Sequence, residues 1–313
     1  MINVKLYNSE SKDIWDKFVE DSKNGTFMLK RDYMDYHADR FKDFSLMFYE
    51  DEKLIALMPA SLHEQEVRSH GGLTYGGIVS NRKMTASKML EVFAALNDFL
   101  YNKGIKNLVY KCIPRIYHSY FADEDLYALF VYNAQLIRRD ISTTIKLDDK
   151  IPFAELRRRS VKKALKNGLE VCRSQDYEGY VSLLSEVLSA HHGTKPVHTG
   201  AELRLLAERF PENIKLFSAY KEDKMLAGVV IFDTPQTVHA QYIANSDEGR
   251  NIGALDLVID YLINTCSAGK KYFDFGISTE DNGRFLNAGL ISQKEGFGGR
   301  ATVYDFYELR IKG

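Results

Sequence analysis

Apolar positions along this chain follow two periods, and the order in which the periods alternate occurs twice. Phe44–Met58 reads as an apolar run, an acidic break at Glu50-Asp51-Glu52, and a second apolar run, which predicts two strands joined by a tight turn. Ile214–Ile231 repeats this pattern, with Lys224 standing where the first segment has Lys53. A segment containing a histidine follows each hairpin, His70 in the first case and His239 in the second. The period then changes. Met89, Val92, Phe93, Leu96, Phe99 and Leu100 recur at close to 3.6 residues and predict a helix over 86–101. Leu255, Leu257, Val258, Tyr261 and Leu262 do the same over 254–266. Each helix meets a glycine stop, Gly104 or Gly269, and then a buried strand, 107–113 or 271–276.

Four element types recurring in one order predict a duplicated α/β domain with a mixed sheet in each copy. The boundary is expected near residue 148, giving domains 1–148 and 149–313. A different kind of segment opens the second domain. A basic helix is predicted over 153–168, ending at Asn167-Gly168, and two more helices over 177–191 and 201–209.

Composition narrows the class. The 313 residues are 45% hydrophobic and 27% charged, enough for full cores, and the formal net charge is −1. Such a surface gives no general attraction for nucleic acid or membrane, so any polyanion site must be a local patch. Three scattered cysteines without CxxC spacing fit a reducing compartment rather than a disulfide framework. No basic-then-apolar leader and no long apolar run is present, so a cytoplasmic protein without membrane insertion is expected.

Candidate chemistry concentrates in the second half. Arg157, Arg158, Arg159, Lys162, Lys163 and Lys166 lie on one predicted helix with no acid among them, which suits phosphate recognition or a solvated face. Arg250-Asn251-Ile252-Gly253-Ala254-Leu255 leads into a helix start, where backbone N–H groups can hold an anion. Leu255 is large for that purpose. In the first half, Ser69–Gly77 packs four glycines around His70 and Tyr75, fitting either close ligand approach or a plain bulge.

His239 and Tyr242 fall on opposite faces of a regular strand and can share one site only if the strand is bulged. Asp274 is a carboxylate among Tyr272, Phe273 and Phe275, and a buried carboxylate needs partners. Lys294 stands before the glycine-rich turn Gly296-Phe297-Gly298-Gly299, with Arg300 just beyond it. His191 and His192 are secondary candidates, and no metal-ligand spacing is seen. No Gly-x-Ser-x-Gly elbow occurs, so hydrolase readings lack support.

The closing segments Tyr272–Ser278 and Gly289–Gly299, with the duplication and the basic helix between the copies, resemble the FemAB-like, double-GNAT acyltransferases. The resemblance covers nearly the whole chain on loose motifs. It implies two tandem GNAT-like domains with a helical insertion between the copies. The segment 284–313 would return to the cleft between the domains. It also implies transfer of an acyl group to an amine by direct attack, with acyl-CoA as donor and a phosphate-linked cell-envelope precursor as acceptor. Arg250, Asn251, Gly253 and Ala254 would then hold the donor's pyrophosphate. Arg157, Arg158, Lys162, His70, Tyr75 and Arg300 would contact the acceptor, and Lys294, Tyr242, His239 and Asp274 would carry the chemistry. Two alternatives stay open: a FemAB-type peptidyltransferase using aminoacyl-tRNA, and a non-catalytic binding protein on the same scaffold.

Overall fold

The structure, a computed structural model, describes residues 1–192 and 196–313. Contacts divide the chain into two units. The first comprises Met1–Asp140, Thr279–Phe285 and Val303–Gly313; the second comprises Ile141–Ser278 and Leu286–Thr302. The division falls inside the strand Gln135–Lys146, just before the expected boundary, and two late segments of the chain return to the first unit. Each unit mixes sheet and helix around its own apolar core.

In the first unit an antiparallel sheet runs in the order Ile2–Leu6, Leu46–Glu50, Lys53–Met58, Val79–Ser80. A second set of strands pairs Ser61–His63 with Glu66–Arg68, and Glu66–Arg68 in parallel with Asn107–Lys111. Residues 306–310 of the final strand complete it. The helix Ala86–Asn102 starts at Thr85, whose hydroxyl accepts from the Lys88 N–H. It buries Met89, Val92, Phe93, Leu96 and Leu100, the stripe its periodicity predicts.

The second unit holds a sheet ordered 141–146, Tyr272–Ile277, Thr237–Asn245, Lys224–Asp233, Ile214–Lys221, Glu170–Ser174. All neighbours are antiparallel except Tyr272–Ile277 with Thr237–Asn245. The basic segment forms the helix Glu155–Lys166 and packs against Ala254–Tyr261; Tyr177–His192 lies over the sheet. The helix predicted over 254–266 is α-helical to Tyr261 and then widens to a π turn, Leu262–Cys266. Gly200–Arg209 begins at a capping box between Thr199 and Glu202.

Register changes one sequence equivalence. The parallel pairs are Glu66↔Asn107, Val67↔Leu108 and Arg68↔Val109 in the first unit. In the second they are Thr237↔Tyr272, Val238↔Phe273 and His239↔Asp274. The counterpart of His239 is therefore Arg68, and His70 lies beyond the strand at φ +54°. Among the described residues no helix is long and apolar enough to cross a membrane.

Candidate active site

The site of the second unit begins where parallel pairing stops. Thr237–Asn245 and Tyr272–Ile277 are joined only as far as His239 and Asp274, although both strands continue. Beyond that point they separate. A cavity of about 430 Å³ lies in the opening, with Ile243 and Asn245 from one strand and Phe275 from the other in its wall. Its other walls are Arg250, Leu255, Asp256 and Ile259 from the adjoining helices, Arg157 from the basic helix, and Leu290, Gln293, Lys294 and Phe297 from the closing segment.

At the apex, Asp274 is fully buried. His239 Nδ1 lies 2.7 Å from Oδ2, the hydroxyls of Ser142 and Thr144 donate to Oδ1 at 2.5 and 2.8 Å, and Gly276 N–H reaches Oδ2 at 3.3 Å. Burial alone would raise its pKa. The bonds from His239, Ser142 and Thr144 outweigh that and hold the carboxyl below its ordinary value.

One residue further, the strand breaks its register between Asp274 and Ile277. Gly276 sits at φ +76°, a conformation glycine adopts without strain, and a Cβ there would come 3.3 Å from the His239 ring. The Gly276 and Ile277 carbonyls both accept from Lys294 Nζ, at 2.9 and 2.8 Å. Lys294 lies in the last turn of Ala288–Glu295, a helix begun by Asn287, whose side chain accepts from Leu290 N–H. Only 5% of Lys294 is exposed, and burial pushes its pKa down to about 8 against the pull of the Asp274 carboxylate. The residue is also part of the cavity wall.

The bulge that His239 and Tyr242 need is present. Phe232 pairs with His239, Ile231 with Ala240 and Val230 with Tyr242, so Gln241 is the extra residue and His239 and Tyr242 point to one face. Tyr242 Oη lies 2.5 Å from His198 Nδ1, and burial pushes the phenol up to about 12, which leaves it a neutral donor. His198 was not singled out from the sequence; nothing in the local pattern marks it.

The helix-start turn is more closed than the sequence suggested. Gly253 and Ala254 are buried, and a Cβ on Gly253 would lie 2.4 Å from the Ser160 carbonyl of the basic helix. Arg157 donates to Asp256 at 2.9 Å, and its guanidinium lies 5.4 Å from the Phe297 ring centre. Burial raises the Asp256 pKa, opposed by Arg157. Arg250 lines the cavity and Asn251 is exposed. An acid inside the apolar run Leu255–Ile259 was the sequence signal for this ion pair.

The remaining predicted residues are placed as follows. Arg158 and Lys162 are exposed on the basic helix. Arg300 donates to the Gly299 carbonyl and, with Arg157, Ser292 and Glu295, lines a second cavity of about 570 Å³. His70 and Tyr75 belong to the interior of the first unit: the His70 ring centre is 5.5 Å from that of Phe41, and Tyr75 Oη donates to Thr26. The side chains of His191 and His192 lie outside the described residues.

Residues 155–282 match the family model described as an acetyltransferase (GNAT) domain. The second unit is thus built on a GNAT domain. Solved structures extend the fold to the whole chain. FemX shares 12% identity at a TM-score of 0.68, over 97% of this chain and 96% of its own. L-PGS from Bacillus licheniformis shares 14% at 0.63, over 99% and 94%. A tandem GNAT protein from the clavulanic acid biosynthesis pathway, solved without acetyl-CoA, shares 9% at 0.53, over 100% and 99%. No curated protein sequence matches the chain. The whole chain thus shares the fold of FemX and of the tandem GNAT protein, and the wedge between the parallel strands that part at His239 and Asp274 lies within the matched GNAT domain.

Proposed function

We propose that the chain is an acyltransferase whose chemistry takes place in this wedge. The observation that carries the reading is Lys294: a buried ammonium fixed on two carbonyls in the wall of the cavity. An acceptor amine attacks the acyl carbonyl carbon, the new C–N bond forms, and the carbonyl electron pair moves to oxygen. Lys294 would stabilise that oxyanion. The tetrahedral intermediate then collapses, the bond to the donor's leaving group breaks, and the leaving group departs with the electron pair. The attacking nitrogen gives up its proton to a base. Water is the proposed acceptor of that proton and the donor to the leaving group, because His239 and Tyr242 share the strand face opposite Ile243 and Asn245 and are not among the residues that line the cavity.

The acceptor is proposed to be an amine on a phosphate-linked cell-envelope precursor, in keeping with the likeness to FemX and L-PGS. Arg158, Lys162 and Arg300 supply exposed cations suited to its phosphates. One observation bears on the donor. Burial of Gly253 and Ala254 under Ser160, with the Asp256 carboxylate already at the helix start, leaves little backbone free for a CoA pyrophosphate. That favours an aminoacyl ester carried on tRNA over acyl-CoA.

Calorimetry with acetyl-CoA, beside gel shifts with charged and uncharged tRNA, tests the choice. The expected result is no saturable CoA binding and a tRNA complex that weakens steeply with salt. Micromolar CoA binding would restore acyl-CoA as donor. Absence of transfer with every donor that binds would overturn the acyltransferase reading itself.

A further inference from the structure

Lining chemistry says more about the group that moves. Leu255 and Ile259 lie one turn apart on a single helix face, and Phe275 and Phe297 stack at 5.7 Å between ring centres. These four side chains give the cavity an apolar wall. Its charged groups are Arg157, Arg250 and Lys294 against one acid, Asp256, which Arg157 already engages. A space of about 430 Å³ falls within the range of small-molecule sites and is far larger than an acetyl group requires.

We propose that this cavity receives the side-chain end of the acyl group and that it selects a bulky apolar, uncharged end, disfavouring both acetyl and acyl groups whose far end is a cation. The proposal rests on the reading that the wedge holds the acyl donor. A short acyl group leaves the apolar wall wet. Each further methylene moved from water onto that wall tightens binding by about fourfold. An amino group at the end of the chain would instead meet an excess of positive charge with no free carboxylate to pair with, and would lose its hydration. Leu255, too large to suit a phosphate-binding turn, thereby has a purpose: with Ile259 it forms the apolar wall on the helix side.

The test uses phosphate-free probes, so that donor identity does not enter. Acetyl, hexanoyl and 6-aminohexanoyl thioesters of N-acetylcysteamine are titrated into the full chain by calorimetry. Hexanoyl is expected to bind at least about tenfold more tightly than either of the others. Leu290→Trp, at the exposed rim, should remove most of the hexanoyl advantage, and Leu255→Ala should shift the preference toward octanoyl. Equal affinity for acetyl and hexanoyl, tighter binding of the 6-aminohexanoyl probe, no binding of any probe, or indifference to both variants would each overturn the proposal. Selective hexanoyl binding without transfer to any amine would leave the pocket standing and remove the acyltransferase reading.

Discussion

Both units contain a pair of parallel strands that stay hydrogen-bonded for three residues and then part, yet only the second leaves the gap open. In the first unit the chain itself fills it. Ser69 N–H reaches the Val109 carbonyl, the Ser69 hydroxyl accepts from Lys111 N–H, and Gly76 N–H reaches the Lys111 carbonyl. Lys111 Nζ then donates to the carbonyls of His70, Gly71 and Leu73. In the second unit Lys294 makes only two such bonds, and its surroundings are a cavity. Both lysines are buried and both pKa values are pushed down to about 8, chiefly by burial. Arg138 and Arg68 push Lys111 further down, whereas the Asp274 carboxylate pulls Lys294 up; the first lysine is a structural clamp and the second is proposed as an oxyanion donor. The His–Asp pair completes the contrast, since the corresponding positions of the first unit hold Arg68 and Val109. A duplicated wedge thus keeps its backbone while the side chains decide whether it can work.

This comparison can be broken most forcefully at the lysines. Lys294→Ala is expected to lower transfer by roughly a hundred- to a thousandfold, the effect of removing one oxyanion donor. Lys111→Met should leave turnover per folded molecule nearly unchanged but cost about 1–3 kcal/mol, because three buried carbonyls lose their donor. Chemical denaturation together with rate measurement separates the two. Loss of turnover in Lys111→Met, at full folding, would count against the division of roles.

Acidity gives the next contrast. If Lys294 works as a cation, transfer falls as pH rises through about 8; a rise through the same range would make it a base instead. Stability moves the other way. Between about 8 and the ordinary lysine value of 10.5 the unfolded chain holds a proton that the folded chain has released, so stability rises with pH there. Substituting either lysine by methionine should flatten that rise.

Smaller effects are expected at the apex. Gly276→Ala forces a left-handed backbone on a side chain that would press on His239, costing about 1–2 kcal/mol and lowering transfer as well. Asp274→Asn should cost about 1–3 kcal/mol at neutral pH. Asp274 titrates below its ordinary value of 3.8 in the folded chain, so the stability it provides is complete above that value and is lost as pH falls through the depressed one. The gap between wild type and variant should therefore close in strong acid; a constant gap would contradict the assignment.

Much of this architecture was legible before any coordinates. The stripe Met89–Leu100 buried the face its period predicted, and 44–58 and 214–231 formed the expected hairpins, with strands buried on both faces over much of their length. Lys294 and Asp274 drew notice as charges in apolar or glycine-rich surroundings. What sequence could not show was where pairing stops. That depends on contacts between strands remote in sequence, and it is why His70 looked like a partner of His239 when register assigns Arg68. Burial of Gly253 by Ser160 was hidden for the same reason, and the Arg157–Asp256 pair joins residues that only packing brings together.

The central claim is that transfer occurs in the open wedge of the second unit and depends on Lys294. Its most direct test is single-turnover transfer of a radiolabelled acyl group, from whichever donor binds, by wild type, Lys294→Ala and Lys111→Met. The account predicts near-complete loss in Lys294→Ala at unchanged donor affinity, and a wild-type rate in folded Lys111→Met. An undiminished rate in Lys294→Ala would contradict it.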